Sequence, residues 1–553
     1  MSSTTARPAA LSLTRLAPAI TGAVALVVYA RTLLPGQAFG DWGEMQTVPH
    51  VLGVAHPTGY PTYILLAWLA ELVPLGSVAF RANLLSAVLV AAALATLTAI
   101  AIRLDIRPAL AIAAALGTGA VGTVWAAATV AEVNPLHLLL CALLLHRALV
   151  WGARRSAVDL ALGGLLLGLA VGNHLLTLFV GPFIVLYVVW VGRRELIARP
   201  WIVLPALIAG IVGVSVYAYI PIAAGRSPVL PYSHPTTLEG VWWLVSGEQF
   251  RTQFDFLSSK GPGVFIASLG DLRDLAIDRA TAVLPLLGLV GIGVLIVRRT
   301  AFGLACAGIL VSGAYVWANY LRLEHYLLVP WLVLGIGTAA TLEAIARAVA
   351  RLGEREEAPM SVAIEADAVA VGSEGTDTTV SADAADAAHT ADAADRRRLA
   401  GTGVALVALG LAVILAGLNW ADNDRSADRS GDDYVSATLD LLPQDAAILS
   451  YWDTSTPLWH ALFVEGRRPD VLVVDDTNIV YDGWGTREAR ISSLICERPV
   501  YILRLSERDL VPTRQDYALT PVGTVPVGAG GPSAATTRPI YRVEPLDPST
   551  CGG

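Results

Sequence analysis

With 553 residues, 55% of them hydrophobic and only 15% charged, and a mean hydropathy of +0.59, the chain carries far less charge than the roughly 25% of globular proteins. That composition excludes a soluble enzyme and a nucleic-acid-binding protein, and it leaves a multi-span membrane protein. The net charge of -8 has no binding meaning, because the acid collects in one linker and in the C-terminal third.

About 20 apolar residues cross a bilayer as a helix, and the sequence predicts eleven such spans, at 13–34, 80–102, 108–130, 132–151, 157–173, 175–192, 201–222, 281–298, 301–320, 325–346 and 399–419. The first follows Arg7 and Arg15 and offers a cleavage zone near Tyr29-Ala30, the layout of a signal peptide. It is also long enough to span, and it is read as an uncleaved signal anchor. Either way residues 35–79 lie outside. The run at 62–74 is too short to cross and ends in Pro74, so it reads as an interfacial or re-entrant helix within that first outer loop.

Short cytoplasmic loops carry the Lys/Arg excess. With the N-terminus inside, Arg103, Arg107, Arg154, Arg155, Arg193, Arg194, Arg199, Arg298, Arg299, Arg347 and Arg351 all fall on inner loops, and Arg396 to Arg398 precede the last span. The loop 223–280 and the segment 420–553 then lie outside. In that loop, Trp242, Trp243 and Leu244 beside Glu248 and Arg251 suit a helix lying at the interface.

Residues 353–398 are Ala, Asp, Glu, Thr and Ser with scarcely a large apolar side chain, which predicts a disordered acidic cytoplasmic linker. After the last span, Ala446–Trp452, Asp470–Val474 and Pro499–Leu503 read as short buried strands of a small α/β domain. Cys141 and Cys306 fall within spans and read as small buried residues. Cys496 and Cys551 share the outer domain, where an oxidising compartment permits a disulfide. Asp453, Asp475 and Asp476 follow strands and suit helix caps or turns as well as ligands. The Gly-rich run Gly528-Ala529-Gly530-Gly531 lacks the setting of a phosphate loop. The divisions are thus a membrane module over 1–352, the linker 353–398, a last span at 399–419, and an extracytoplasmic domain over 420–553.

Just past the first apolar run stands Gly40-Asp41-Trp42-Gly43-Glu44, followed by His56-Pro57-Thr58-Gly59-Tyr60-Pro61. Carboxylates and a histidine near lipid are costly without a partner or a function. The topology brings other polar residues to the same outer face: Glu132 and Asn134 between the third and fourth spans, Asn173 and His174 at the end of the fifth, and Arg322, Glu324 and His325 between the ninth and tenth. A cavity opening outward at the bilayer surface follows. Plainer readings stand beside this one. Glu132 and His174 also suit helix ends satisfied by neighbours, Arg322 suits snorkelling or a pair with Glu324, and Gly168 and Gly172 ahead of Asn173-His174 suit close helix packing.

These residues resemble a family. Asp41-x-Gly43-Glu44, Gly53-Val54-Ala55-His56-Pro57-x-Gly59-x-Pro61 and Arg81-x-Asn83-Leu84 resemble the GT-C membrane glycosyltransferases, in the branch related to protein O-mannosyltransferases. Trp125, Ala131-Glu132-Val133, Gly168-Leu169-x-x-Gly172-Asn173-His174 and Arg467-x-Pro469-Asp470-Val471 extend the likeness, while Asn134-Pro135 departs from it. The resemblance implies a GT-C-like polytopic fold and transfer of a sugar, mannose in the nearest branch, from a polyprenyl-phosphate carrier to a protein or glycan hydroxyl outside the membrane. Asp41 is then the candidate base, with Glu44 beside it to tune its charge or orient the acceptor. Arg322 and His325 are the candidate cations for the leaving phosphate. Glu324, His56, His174 and Asn173 would surround donor sugar or phosphate, and Glu132, Tyr60 and Trp42 would line the acceptor side. The membrane lipid is the remaining partner.

A lipid-linked donor makes a nucleotide site unnecessary. No cofactor is required, though Asp41 and Glu44 leave Mg or Mn open. Insertion through a signal-like first span, with cysteines outside, fits a plasma membrane in a prokaryote or an endoplasmic reticulum in a eukaryote, and the Ala/Gly/Val-rich composition leans to the former. The competing classes are a transporter or lipid-linked-sugar flippase, whose sites sit near the midplane, and a non-catalytic envelope assembly factor.

Overall fold

The computed structural model describes residues 13–226, 228–253, 261–320, 322–369, 379–528 and 536–551. The chain opens with α1 (Leu13–Arg31), the outer-loop helices α2 (Gly40–Val51) and α3 (Pro61–Glu71), and α4 (Val78–Arg103). Next come α5 (Pro108–Gly119), α6 (Gly122–Ala128), α7 (Asn134–Arg154), α8 (Ala157–Val171), α9 (Thr177–Ala198), α10 (Val203–Val214) and the short α11 (Tyr219–Ala224). The second outer loop carries α12 (Leu238–Val245) and α13 (Gly261–Ala280), after which α14 (Val283–Arg298), α15 (Thr300–Asn319), α16 (Leu328–Val369) and α17 (Thr379–Asn423) complete the membrane module.

Among the described residues, eight helices are long and apolar enough to cross a membrane, and ten if each of two bent pairs counts as one span. The chain is an integral membrane protein, and large apolar side chains such as Leu186, Ile211 and Val413 stand exposed on its helices, as lipid contact requires. At the fifth expected position, 157–173, stands α8, only 15 residues long.

The expected run at 108–130 is not one straight helix. It turns by 76° between α5 and α6, where Gly117, Gly119 and Gly122 weaken the helix. The carbonyls freed there are satisfied: Gly119 accepts from the Tyr29 hydroxyl at 2.8 Å and Ala120 from Asn419 Nδ2 at 2.9 Å. Asn419 also donates to the Arg279 carbonyl at 2.9 Å, beside the 112° turn between α13 and α14. One amide on α17 therefore clamps both breaks. At the face the arginines mark as inner, Glu343 accepts from Arg107 and Arg347 at 3.0 and 2.7 Å.

The linker expected to lack structure is entered by helix from both sides, through α16 to Val369 and from Thr379 into α17. Its alanine content favours helix, a preference the low-hydrophobicity criterion does not weigh. Its centre, 370–378, lies outside the described residues.

The outer domain follows with α18 (Ser430–Leu441), β1 (Ala447–Ser450), α19 (Trp452–Phe463), β2 (Leu472–Asp475), α20 (Asp476–Tyr481), α21 (Arg487–Leu494), β3 (Val500–Leu503), α22 (Val511–Asp516), β4 (Tyr517–Val527) and β5 (Thr536–Pro545). The sheet order is β2-β1-β3-β5-β4. β1 lies between parallel partners β2 and β3, and β5 runs antiparallel to β3 and β4. Ile448 of β1 packs with Tyr434 and Leu458 on one face, whereas Ala447 and Leu449 pack with Ile491 and Leu494 on the other. Both faces are covered, as a parallel sheet needs.

The three expected strands are present, and the hairpin β4–β5 is an addition. Pro521, Pro526, Pro539 and Gly523 mask its alternation in the sequence. Proline is tolerated there because β4 is an edge strand and β5 meets β3 only over Ile540–Val543. Cys496 and Cys551 are joined in a disulfide. Of the Gly-rich run, Ala529, Gly530 and Gly531 lie outside the described residues.

The outer domain is docked onto the first loop, since α19 packs along α2. Two glycines permit this approach. Gly40 has φ +60°, and a Cβ on it would lie 2.8 Å from Asp453 Oδ1; one on Gly43 would lie 2.3 Å from the Ala38 carbonyl and 2.7 Å from Thr456 Oγ1. Gly40→Ala is accordingly expected to destabilise the protein by at least the ~1–2 kcal/mol of a left-handed alanine, read as a lowered melting temperature and faster proteolysis of the outer domain in detergent. An unchanged melt would show that α19 does not need this approach.

Candidate active site

The first-loop motif folds around one ion pair. Phe39 and Gly40 start α2 without a side-chain cap, and Asp41 sits in the first turn, where the helix N-terminus favours an acid. Glu44, one turn on, is buried. After α2 the chain runs extended: the Val54 N–H donates to the Leu230 carbonyl at 2.8 Å and the Tyr232 N–H to that of Val54 at 3.2 Å. This pins the loop to the second outer segment. A turn closed by the Gly59 N–H on the His56 carbonyl (2.7 Å) leads into α3, which has Pro61 at its first position.

His56 is thereby set over Glu44. Its backbone N–H donates to Glu44 Oε1 at 2.8 Å, and its Nδ1 meets Glu44 Oε2 in a short hydrogen bond. The Nε2 lies 3.0 Å from the Tyr60 hydroxyl, whose own proton goes to the Pro57 carbonyl at 2.9 Å. Nδ1 therefore faces a carboxylate and Nε2 a hydroxyl already spent as donor, so both ring nitrogens donate and the ring is an imidazolium. Burial alone would lower the pKa of His56, but Glu44 and then Asp41 outweigh it and bring it to about 9. Burial pushes the Glu44 carboxyl up, and the imidazolium opposes that.

Asp41 Oδ2 lies 4.0 Å from His56 Nε2, and its side chain is half-exposed. Its Oδ1 accepts from Trp452 Nε1 at 2.7 Å. Asp41, Glu44 and His56 offer ligand atoms within 4.8 Å of one another, so they have the reach to hold a divalent cation. Glu44 and His56 are bonded to each other, however, and a cation would have to displace that bond.

A cavity of about 710 Å³ opens beside this cluster. Its lining is both polar, with Asp41, His56, Tyr60, Tyr232, Trp452 and Thr477, and apolar, with Leu175, Leu176, Leu178, Phe179, Val316 and Leu323. His174, Gln249, Arg251, Tyr320 and Tyr326 also line it. His174 joins α8 to α9, with its ring 5.7 Å from Tyr60 and 5.4 Å from Tyr326. Its Nδ1 accepts from the Leu176 N–H at 3.1 Å, and burial holds its pKa well below the usual value. It is a neutral ring.

The expected residues thus divide. Asp41, His56, Tyr60 and His174 reach the cavity wall, and Glu44 supports it from behind. Glu132 accepts from Trp42 Nε1 at 3.2 Å and from Asn134 Nδ2 at 3.0 Å, while the Arg425 guanidinium stacks on Trp42. Glu132 and Trp42 form a brace and are not among the described residues lining the cavity. Asn173 is buried and donates to the Val133 carbonyl at 3.1 Å.

The expected donor cations stand off the cavity lining. Arg322 pairs with Asp271 and donates to Ser268 Oγ at 2.8 Å. Glu324 is held by Arg279 at 2.9 Å and by Thr123. His325 packs edge-on against Tyr326. None of these three is among the lining residues; the turn between α15 and α16 closes on α13, whose Asp271 and Arg279 hold Arg322 and Glu324. Among the described lining residues the arginine is Arg251, 3.8 Å from Glu248.

Arg251 was legible only as part of an interfacial helix. Trp452 carried a usable signal, standing at the C-terminal end of a central parallel strand, where open α/β sheets place their sites. Asp475 caps α20 through the Thr477 N–H at 2.9 Å, and Asp476 pairs with Arg487 and Arg504, so both are structural.

The architecture is GT-C-like: a helical membrane module with a cavity against which a small α/β domain is packed. ArnT from Cupriavidus metallidurans has this fold. Its apo structure covers 97% of this chain and 98% of its own with TM-score 0.56 and 14% identity; the structure bound to undecaprenyl phosphate covers 95% and 97% with TM-score 0.55 and 15% identity.

In sequence, residues 41–197 match the family described as protein O-mannosyl-transferase TMEM260 N-terminal domain. The mouse protein O-mannosyl-transferase TMEM260 is 27% identical over 504 residues, covering 85% of this chain and 65% of its own length. The Dictyostelium discoideum protein of that name is 34% identical over 70 residues, 12% of this chain and 8% of its own. This chain therefore spans somewhat less than two thirds of the mouse relative. The resemblance seen in the first-loop motif extends through most of the chain.

Proposed function

We propose that the protein transfers a sugar from a polyprenyl-phosphate carrier to a hydroxyl of a protein on the outer face of the plasma membrane. The observation that carries this is the cavity's mixed lining: the Asp41 carboxylate together with apolar side chains, in a volume within the ~300–1,000 Å³ typical of small-molecule sites. The names of the relatives favour mannose and a protein acceptor. Undecaprenyl phosphate bound to ArnT supports a polyprenyl carrier, and the inner-loop arginines support a cavity facing outward.

In the reaction the acceptor oxygen attacks the anomeric carbon as Asp41 takes its proton. The bond from that carbon to the phosphate oxygen breaks, and the lipid phosphate leaves with the electron pair. Arg251 exchanges Glu248 for the phosphate and meets the charge that develops on it. His56, held cationic by Glu44, offsets one of the two carboxylate charges of Asp41 and Glu44. A single displacement inverts the anomeric centre. A transporter would place its polar groups near the midplane, whereas here they meet at one end of the helices.

Purified protein in lipid nanodiscs, given a panel of polyprenyl-phosphate sugars and an acceptor extract, is expected to consume one donor. If every donor remains intact with every acceptor, the proposal falls.

The His56 pair sets a pH dependence. Its pKa is raised from 6.5 to about 9, so its stabilising contribution is complete below pH 6.5 and lost as pH rises through about 9. Transfer is expected to fall above pH 9 by the same titration, and Glu44→Gln is expected to move that alkaline limb down by about one pH unit or more, since it removes the main charge raising the imidazole. An unmoved limb in a pH–rate profile would dissociate His56 from activity.

A further inference from the structure

We propose that the outer domain is part of the catalytic machinery, through Trp452 acting as a positioning residue for the Asp41 carboxylate. The proposal rests on Asp41 being the base. Trp452 is the first residue of α19 and is separated from Asp41 by 411 positions, yet its Nε1 donates to Asp41 Oδ1 at 2.7 Å.

The indole is held on three sides. His56, Tyr232 and Trp459 each meet it edge-on, with ring centroids 5.8, 5.9 and 5.6 Å away and interplanar angles of 84°, 84° and 81°. Its N–H therefore has one direction to point. A half-exposed aspartate would otherwise sample several rotamers, and a base is effective only within hydrogen-bond reach of the proton it takes. With Oδ1 occupied by the indole, Oδ2 is the oxygen left to receive that proton.

Packing alone does not demand a nitrogen here, because a phenyl ring can keep contact with the same three rings. What the indole adds is the donor. The glycines at 40 and 43 fit this account, for they let α19 come close enough for the bond to form. On this reading the outer domain, at the far end of the sequence, sets the orientation of a carboxylate in the first loop.

Trp452→Phe removes the donor and keeps the aromatic packing. Its kcat is expected to fall about tenfold, the lower range for a hydrogen bond to a charged group. KM for donor and acceptor should stay within about twofold, with the melting temperature unchanged. In an Asp41→Asn background the same substitution is expected to cost nothing further.

A Trp452→Phe enzyme with wild-type kcat would overturn the proposal. So would a rise in KM at constant kcat, which would make the ring a substrate platform, or a loss of activity that tracks a lowered melt. If Asp41→Asn itself turns over at the wild-type rate, the assignment of the base fails instead, and the two failures are told apart by that single arm.

Discussion

Asp41→Asn is expected to lower the rate of sugar transfer by about 10²–10⁴-fold, the range for removal of a general base, with membrane insertion and melting temperature unchanged. The substitution is nearly isosteric, and the amide oxygen can still accept from Trp452, so the fold has little reason to respond. What disappears is the group that takes the acceptor proton. The half-exposed side chain makes this separable from a packing defect. Glu44 would not behave so cleanly, because it is buried against His56 and its loss leaves an uncompensated cation. Transfer assays on reconstituted protein, normalised to folded protein, provide the check. A mutant within a few fold of wild type would remove Asp41 from the mechanism.

The second large effect concerns the leaving group. Arg251→Ala is expected to reduce kcat by about 10²-fold, the lower range for losing one donor to a developing anion. Arg322→Ala is expected to stay within about twofold, since its guanidinium is engaged by Asp271 and Ser268 and a solvent-exposed pair is worth only ~0–1 kcal/mol. The contrast is informative because both arginines lie in outer segments of the sequence. Steady-state kinetics on the two variants decide between them, and a large loss in Arg322→Ala with none in Arg251→Ala would reverse the assignment.

Much of this was legible in the sequence because lipid imposes strong rules. Apolar length marks the helices, and the arginines give a threading that sends polar span ends to one side. The first-loop motif follows from the same rules: acids and a histidine just past a span have few structural excuses. The break at Ala120 was not legible, because hydropathy counts apolar residues without asking whether their backbone is straight, whereas the break after Ala280 falls where a span was expected to begin. Nor was the partner of Arg322. Charge and position made it a phosphate ligand, whereas Asp271, 51 residues away, claims it only after α13 folds back. Trp452 was legible only by its place at the end of a strand; its bond to Asp41 spans 411 positions, and no periodicity reports a bond of that range.

The account stands on a carboxylate in the first loop performing a single displacement on a lipid-linked sugar. The measurement that meets it most directly is the anomeric configuration of the product, determined by NMR after transfer from a polyprenyl-phosphate sugar of known configuration to an acceptor hydroxyl. Inversion is the expected result. Retention would require a covalent or ion-pair intermediate that this mechanism does not contain, and would contradict it.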